Sequence, residues 1–243
     1  MKILLLSDIH ANLVALEAVL ADAGEVDEIW NLGDTVGYGP RPSECLDRVT
    51  ALGARPILAG NHDLACTGDL DDRDFNAVAR AAARWTASQL RHDQKTLLRS
   101  LPGRTEAGGF TLAHGSPRDP VWEYLTDQYA ATANFGAFTT GVCFVGHSHL
   151  PLIFRLTADA SIAEIEGLAE DQTVDLRTDR LIINPGSVGQ PRDQDPRAAY
   201  GLIDTDGGLF TGKRIEYDIE KTQCEMAEAG LPDLLIRRLS IGR

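Results

Sequence analysis

The sequence predicts an α/β protein in which two β-sheets pack together and helices flank them. Three observations predict it. Residues 2–63 alternate short apolar runs with helical patterns, and residues after 150 form strands separated by turn signals. No repeat, low-complexity tract or Pro/Ser-rich linker divides the 243 residues. The chain is therefore expected to be a single domain, 1–243, long enough to bury a sizeable core.

The elements follow in order. "KILLLS" (2–7) is an apolar run stopped by Asp8, as in a strand covered on both faces. Residues 11–24 carry apolar side chains at Leu13, Leu16, Val19 and Leu20 and end in Gly24, a helical pattern with its stop signal. "EIWNLGD" (28–34) reads as a second strand, 42–53 as a helix opened by Pro42-Ser43, and "RPILAGNHD" (55–63) as a third strand. This order implies parallel strands joined by right-handed crossovers. Residues 75–101 read as helical throughout and stop at Pro102-Gly103. Inserted between two strands that carry polar motifs, they are expected to form a small cap limiting substrate size, or else a peripheral packing element. Strands follow at 110–116, 141–149, 150–157, 180–186, 198–206 and 207–219, with a hairpin turn at Asp206-Gly207-Gly208. A helix is expected over 219–230.

The formal net charge of −13 repels phosphate backbones and anionic membrane surfaces, so long nucleic acids and membranes are not expected partners. Cys45, Cys66, Cys143 and Cys224 lie far apart and form no CxxC, which reads as reduced thiols in a cytoplasm. The start "MKILLLSDIH" has too short an apolar run for a signal peptide or a membrane span. Nothing in the sequence sets an oligomeric state.

The informative residues stand where strands end. The first strand is followed by Asp8 and His10, the second by Asp34, the third by Asn61 and His62. The later strands are followed by His114, and by His147 and His149. Singly each has an ordinary explanation: Gly-Asp is a turn, and Gly-Asn-His-Asp could cap a helix. Jointly they do not. Five of the six histidines fall just after strands beside Gly, Asp or Asn, and His92 alone sits in a polar helical stretch. Sites of open α/β sheets form outside the carboxyl ends of strands, so these residues converge on one edge. Imidazole with carboxylate suits two divalent transition-metal ions, Mn first, with Fe, Zn, Ni or Co also compatible. A shared carboxylate can bridge ions about 3.5–4 Å apart. Two such ions against Asp8 and Asp34 leave about +2, a local positive source on an acidic protein that attracts a phosphate ester.

The set Asp8-Ile9-His10, Gly33-Asp34, Gly60-Asn61-His62-Asp63, His114 and Gly146-His147-Ser148-His149 resembles the calcineurin-like metallophosphoesterase superfamily, whose five motifs it matches in order. "NLGDTVGYGP" and "NPGSVGQPRD" are similar to a bacterial branch of small phosphoesterases. The resemblance implies a β-sandwich with flanking helices. It implies one ion held by Asp8, His10 and His149, a second by Asn61, His114 and His147, and Asp34 between them. It also implies that His62 faces the substrate and protonates the leaving oxygen. The expected activity is in-line hydrolysis of a small phosphodiester or nucleotide-type substrate. Phosphomonoesters, phosphoproteins and dinucleoside polyphosphates are the alternatives within the superfamily, and a noncatalytic scaffold of the same fold is the rival outside it. The protein-phosphatase form GDxVDRG is absent, since Gly37 and Tyr38 stand there. Arg118 and Arg192 are the candidates left to hold phosphate.

Overall fold

The computed structural model describes residues 1–68 and 75–243. Its elements are β1 (Lys2–Leu6), α1 (Leu13–Ala23), β2 (Glu28–Asn31), α2 (Pro42–Ala51), α3 (Asn61–Thr67), α4 (Ala77–Gln89), α5 (His92–Ser100), β3 (Arg104–Ala107), β4 (Phe110–Ala113) and α6 (Gln128–Asn134). After these come β5 (Val142–Phe144), β6 (Leu152–Leu156), β7 (Glu164–Gly167), β8 (Thr173–Asp175), β9 (Arg180–Asn184), β10 (Ala198–Asp204), β11 (Leu209–Ile215), α7 (Ile219–Glu228) and α8 (Asp233–Arg238). One sheet has the order β2-β1-β10-β11-β8 and the other β3-β4-β5-β9-β6-β7. Both are mixed: β1 pairs parallel with β2 and antiparallel with β10, and β5 pairs parallel with β4 and β9.

The unbroken apolar run of β1 is explained by its two covered faces. Ile3 and Leu5 enter the core between the sheets with Trp30, Leu112, Phe144, Ile183 and Phe210. Leu4 and Leu6 face the other way, into a layer built with Leu16 and Val19 of α1 and Leu46 of α2. Side chains alternate across a strand, so a strand covered on both sides must be apolar at every position. Each such Leu or Ile contributes about 1.5–3 kcal/mol relative to exposure. The second sheet is covered on its outer face by Ala131 and Phe135, which pack on Cys143, Phe154 and Ile182.

Local signals act as read at several termini. Asn12 caps α1 through its Oδ1, which accepts from Ala15 N at 3.1 Å, and Gly24 ends that helix at φ 62°. The β10–β11 turn is held by Asp204 Oδ1, which accepts from the N–H groups of Asp206 and Gly207 at 3.0 and 3.1 Å. His92 is exposed, as expected for a polar helix face.

Other expectations are corrected. Over 55–63 the strand reduces to one parallel bridge between Asn31 and Ile57, and α3 begins at Asn61. Pro56 has no N–H to donate, so the chain cannot extend the ladder there. The stretch 75–101 is two helices, not one. Leu90 and Arg91 are extended between them, and Gln94 Oε1 accepts from Arg91 N at 3.1 Å to start α5 afresh. Ala83, Leu90 and Leu98 are buried against the same layer as α1 and α2, whereas Phe75 and Ala79 turn to the opposite side, beside Tyr38. All four cysteines are free, and no helix among the described residues is long and apolar enough to cross a membrane.

Candidate metal centre

The loops leaving β1 and β2 continue side by side beyond the strands. Asp8 N donates to Gly33 O at 3.0 Å and His10 N to Asp34 O at 2.9 Å. On the other sheet, Gly146 N donates to His114 O at 2.8 Å. The candidate ligands therefore meet where the carboxyl ends of four strands come together. Asp8, His10, Asp34, His147 and His149 all have positive φ, between 49° and 63°. L-residues avoid that region at a cost of about 1–2 kcal/mol each. Such strain persists only where the surrounding structure imposes it.

Each carboxylate is fixed by one oxygen and offers the other. Asp8 Oδ2 accepts from Ser7 Oγ at 2.6 Å and from His147 N at 3.0 Å, and Asp34 Oδ1 accepts from His62 N at 2.9 Å. Asp8 Oδ1 and Asp34 Oδ2 are buried with no hydrogen-bond partner among the described residues. They face imidazoles. Asp8 Oδ1 lies 3.3 Å from His149 Nε2, and Asp34 Oδ2 lies 3.6 Å from His10 Nε2 and 3.4 Å from His114 Nε2. The rings are oriented from behind by backbone carbonyls, which only accept. His114 Nδ1 donates to Leu32 O at 2.9 Å and His149 Nδ1 to Gln190 O at 2.6 Å, which leaves each Nε2 lone pair pointing inward. His147 is held the opposite way round, with Nε2 donating to Trp122 O at 3.3 Å.

Two buried groups result, Asp8-His10-Asp34-His149 and Asp34-His114-His147, each with its donor atoms within 4.8 Å of one another. Asn61 Oδ1 lies 3.3 Å from His114 Nε2 and adds a neutral oxygen to the second group. Orphaned carboxylate oxygens facing inward imidazole nitrogens are a donor set that fits a divalent transition metal in each group. Burial holds His10 well below its ordinary value, lowers His149, and takes His147 down to about 3, so all three are neutral bases at neutral pH. Burial also depresses His114, but the nearby Asp34 charge outweighs it and carries it up to about 9, so without a metal its Nε2 holds a proton that must leave before that nitrogen can serve as a ligand. Asp34 is buried too, yet the surrounding imidazoles, His114 foremost, keep it well below the carboxylate range.

Two glycines are required by close approach. A Cβ on Gly60 would lie 2.0 Å from Asp34 Oδ1, and one on Gly146 would lie 2.0 Å from Ser7 Oγ and 2.9 Å from Asp8 Oδ2. Gly60→Ala should therefore displace the Asp34 carboxylate and lower metal content while the fold remains. Circular dichroism alongside elemental analysis checks this; full metal occupancy in Gly60→Ala would contradict the packing.

His62 belongs to neither donor group. Its ring packs on Tyr38, with centroids 4.2 Å apart, and edge-on against Phe75 at 4.8 Å, and its Nδ1 has no partner. Burial lowers it to about 4. Arg192 is close by. Its main-chain N donates to His149 O at 3.4 Å, its Nη2 to Gln190 Oε1 at 3.2 Å, and its buried Nε has no partner. Arg118, expected as the other phosphate-holding candidate, is instead paired with Glu123, with Nε 3.1 Å from Oε1, and its side chain is 49% exposed. No contact brings it to the centre. A nearer carboxylate has taken it, which the spacing "HGSPRDPVWE" does not reveal.

The sequence reading missed the surroundings of the centre. Arg238, at the end of α8, is half-buried; burial first and the nearby Arg192 charge second lower its pKa, and its Nε donates to Arg243 O. A cleft of about 340 Å³ opens beside His62 and Asn61, walled by Tyr38, Phe75, Trp122 and Tyr124. These residues lie on loops and helix ends with no periodic pattern, so only the fold brings them together.

Comparison with known proteins bears on the family and the fold. A model of the calcineurin-like phosphoesterase superfamily domain matches residues 1–208. A crystal structure of a metallophosphoesterase from Sphaerobacter thermophilus superposes with a TM-score of 0.91 at 50% identity, covering 100% of this chain and 99% of that one. An uncharacterized protein of Methanocaldococcus jannaschii is 36% identical over 99% of this chain and 98% of its own. The symmetrical bis(5'-nucleosyl)-tetraphosphatase of Nitrosococcus oceani is 34% identical over 117 residues, 44% of this chain and 39% of that protein.

Proposed function

This chain belongs to the calcineurin-like phosphoesterase superfamily, and from that premise we propose that it hydrolyses a small phosphodiester or nucleotide-type phosphate ester at a two-metal centre. The observation that carries the proposal is the pair of buried, unpartnered oxygens, Asp8 Oδ1 and Asp34 Oδ2, turned toward imidazole nitrogens. Leaving two carboxylate oxygens dry and unpaired is costly unless cations complete them. Asp8, His10, Asp34 and His149 would hold one divalent ion, and Asp34, Asn61, His114 and His147 a second. Mn²⁺ is the first choice for this nitrogen and oxygen set. When bound, the ions polarise phosphoryl oxygens and lower the pKa of water.

The other groups handle substrate. His62 lines the cleft and would give a proton to the departing oxygen. Burial keeps it neutral in the free protein, and an arriving phosphate anion supplies the charge that lets it hold a proton. Arg192 offers its unpartnered Nε to a phosphate oxygen. It is the substitute for the arginine missing from "GDTVGYG".

A second reading is pyrophosphate cleavage in a dinucleoside polyphosphate. The similarity to the tetraphosphatase of N. oceani over 117 residues favours it. A panel assay with Mn²⁺ separates the readings. The substrates are bis-p-nitrophenyl phosphate, p-nitrophenyl phosphate, cyclic nucleotides, dinucleoside polyphosphates and a phosphopeptide, ranked by kcat/KM. A diester should lead. A phosphopeptide in first place would overturn the proposal, a dinucleoside polyphosphate would select the second reading, and no turnover of any would leave the scaffold role.

A further inference from the structure

The cleft beside the centre has a composition that phosphate chemistry alone does not require. Its floor is polar, formed by Asn61 and His62, and it is lined further by the rings of Tyr38, Phe75, Trp122 and Tyr124 and by Asn76 and Ala79. The rings are held in place by neighbours. Phe75 and Trp122 meet edge to face, with centroids 5.4 Å apart, and Tyr124 stacks on the His147 ring at 3.9 Å and 27°. Tyr38 and Phe75 are also fixed in an apolar cluster with Met226, Leu235 and Leu239. Trp122 only packs against that cluster, and Tyr124 is 49% exposed. Large aromatic side chains left partly open at the mouth of a polar site have unspent stacking surface. The volume lies in the range of roughly 300–1,000 Å³ typical of small-molecule sites.

We propose that this cleft is a nucleobase subsite, so that the substrate is a phosphate ester of a nucleoside whose flat base packs against Trp122 and Tyr124 while its phosphate reaches the centre. This rests on the reading of the centre as a phosphoesterase and names the substrate class. A sugar or glycerol ester would need hydroxyl partners, and four rings outweigh the one further amide, Asn76, whose Oδ1 is taken by the N–H groups of Val78 and Ala79. A base has a π-face whatever its edge pattern, so stacking binds it with tolerance for its identity. The polar floor joins the two parts: His62 lines the cleft and, through its main-chain N–H, touches Asp34 of the centre.

The test compares ligands that differ only by the base. Calorimetric titration of the Mn²⁺-loaded protein with AMP and with ribose 5-phosphate should show AMP binding at least about tenfold more tightly, within the range that base–aromatic stacking supplies. Trp122→Ala should collapse that ratio and Trp122→Phe should restore most of it. Tyr124→Ala, at an exposed position, should lower it as well. The main-chain carbonyl that holds His147 is kept in every variant. A parallel ratio is read in turnover with thymidine 5'-(p-nitrophenyl phosphate) against 2-deoxyribose 5-(p-nitrophenyl phosphate), which share leaving group, bond and sugar. Equal affinity for AMP and ribose 5-phosphate, or a ratio indifferent to both Trp122→Ala and Tyr124→Ala, overturns the subsite. Preference for AMP without hydrolysis of either ester would remove the hydrolytic reading and support the subsite.

Discussion

Asp34→Asn is expected to empty the centre without unfolding the protein. Asp34 is the one carboxylate common to both donor groups, so its charge serves both ions. Asn has the same shape, tolerates the positive φ of 51° at this position and keeps an oxygen for the His62 N–H. What is lost is the negative charge aimed at the metals. Metal content after Mn²⁺ loading should fall from two equivalents to below one by elemental analysis. Turnover should fall by at least about a thousandfold, because charge stabilisation by metal ions is worth several kcal/mol and 1.36 kcal/mol is a factor of ten. At neutral pH the metal-free variant should melt somewhat lower than the metal-free parent, since the Asp34 charge that faces the buried His114 is lost. Asp34→Asn protein with two metal equivalents and parental turnover would refute the assignment of the centre.

His62→Ala should separate chemistry from metal binding. The link from residue 62 to the centre is its main-chain N–H, donating to Asp34 at 2.9 Å, and alanine keeps it. Metal content should stay near the parental value while kcat falls by about 10²–10⁴, the usual worth of a positioned proton donor. The loss should be smaller for p-nitrophenolate, which departs readily without a proton. The pH profile carries a sign. A group that must be protonated makes kcat fall as pH rises through its value in the complex, so the parent should show that alkaline limb and His62→Ala should lack it. His62→Ala protein that loses its metal and keeps its rate per bound ion would place His62 among the ligands instead.

The sequence carried the centre better than its surroundings, for a physical reason. Asp8, His10, Asp34, Asn61, His114, His147 and His149 are each fixed by a local event: a strand ends, the chain turns, and a donor follows. The structure brings all seven together. The strand expected at 55–63 was misread because "RPILAG" is mostly apolar but has no N–H to donate at Pro56, whose carbonyl still accepts from Asn31 N at 3.0 Å. The edge strands β7 and β8 and the short helix α6 escaped notice for want of pattern. The four residues of β7 are all exposed, and α6 depends on Asp127, whose Oδ1 accepts from Tyr129 N and Ala130 N. The cleft and the fates of Arg118 and Arg192 depend on contacts between distant loops, which no window of sequence contains.

The loop 187–190 has a bearing on the order in which the site is made. Ser187 Oγ donates to Asp8 O at 2.8 Å, and Gly189 N donates to the same carbonyl at 3.0 Å. Gln190 O orients His149. The strands beside that loop, β9 and β10, insert next to β5 and β1. All seven donors are thus synthesised before the segment that shapes them. Chains emerge from the ribosome N-terminus first, so a nascent chain that has reached His149 has every donor and no finished pocket. Metal capture would therefore wait on translation of the last third of the protein, when a remote segment closes the centre.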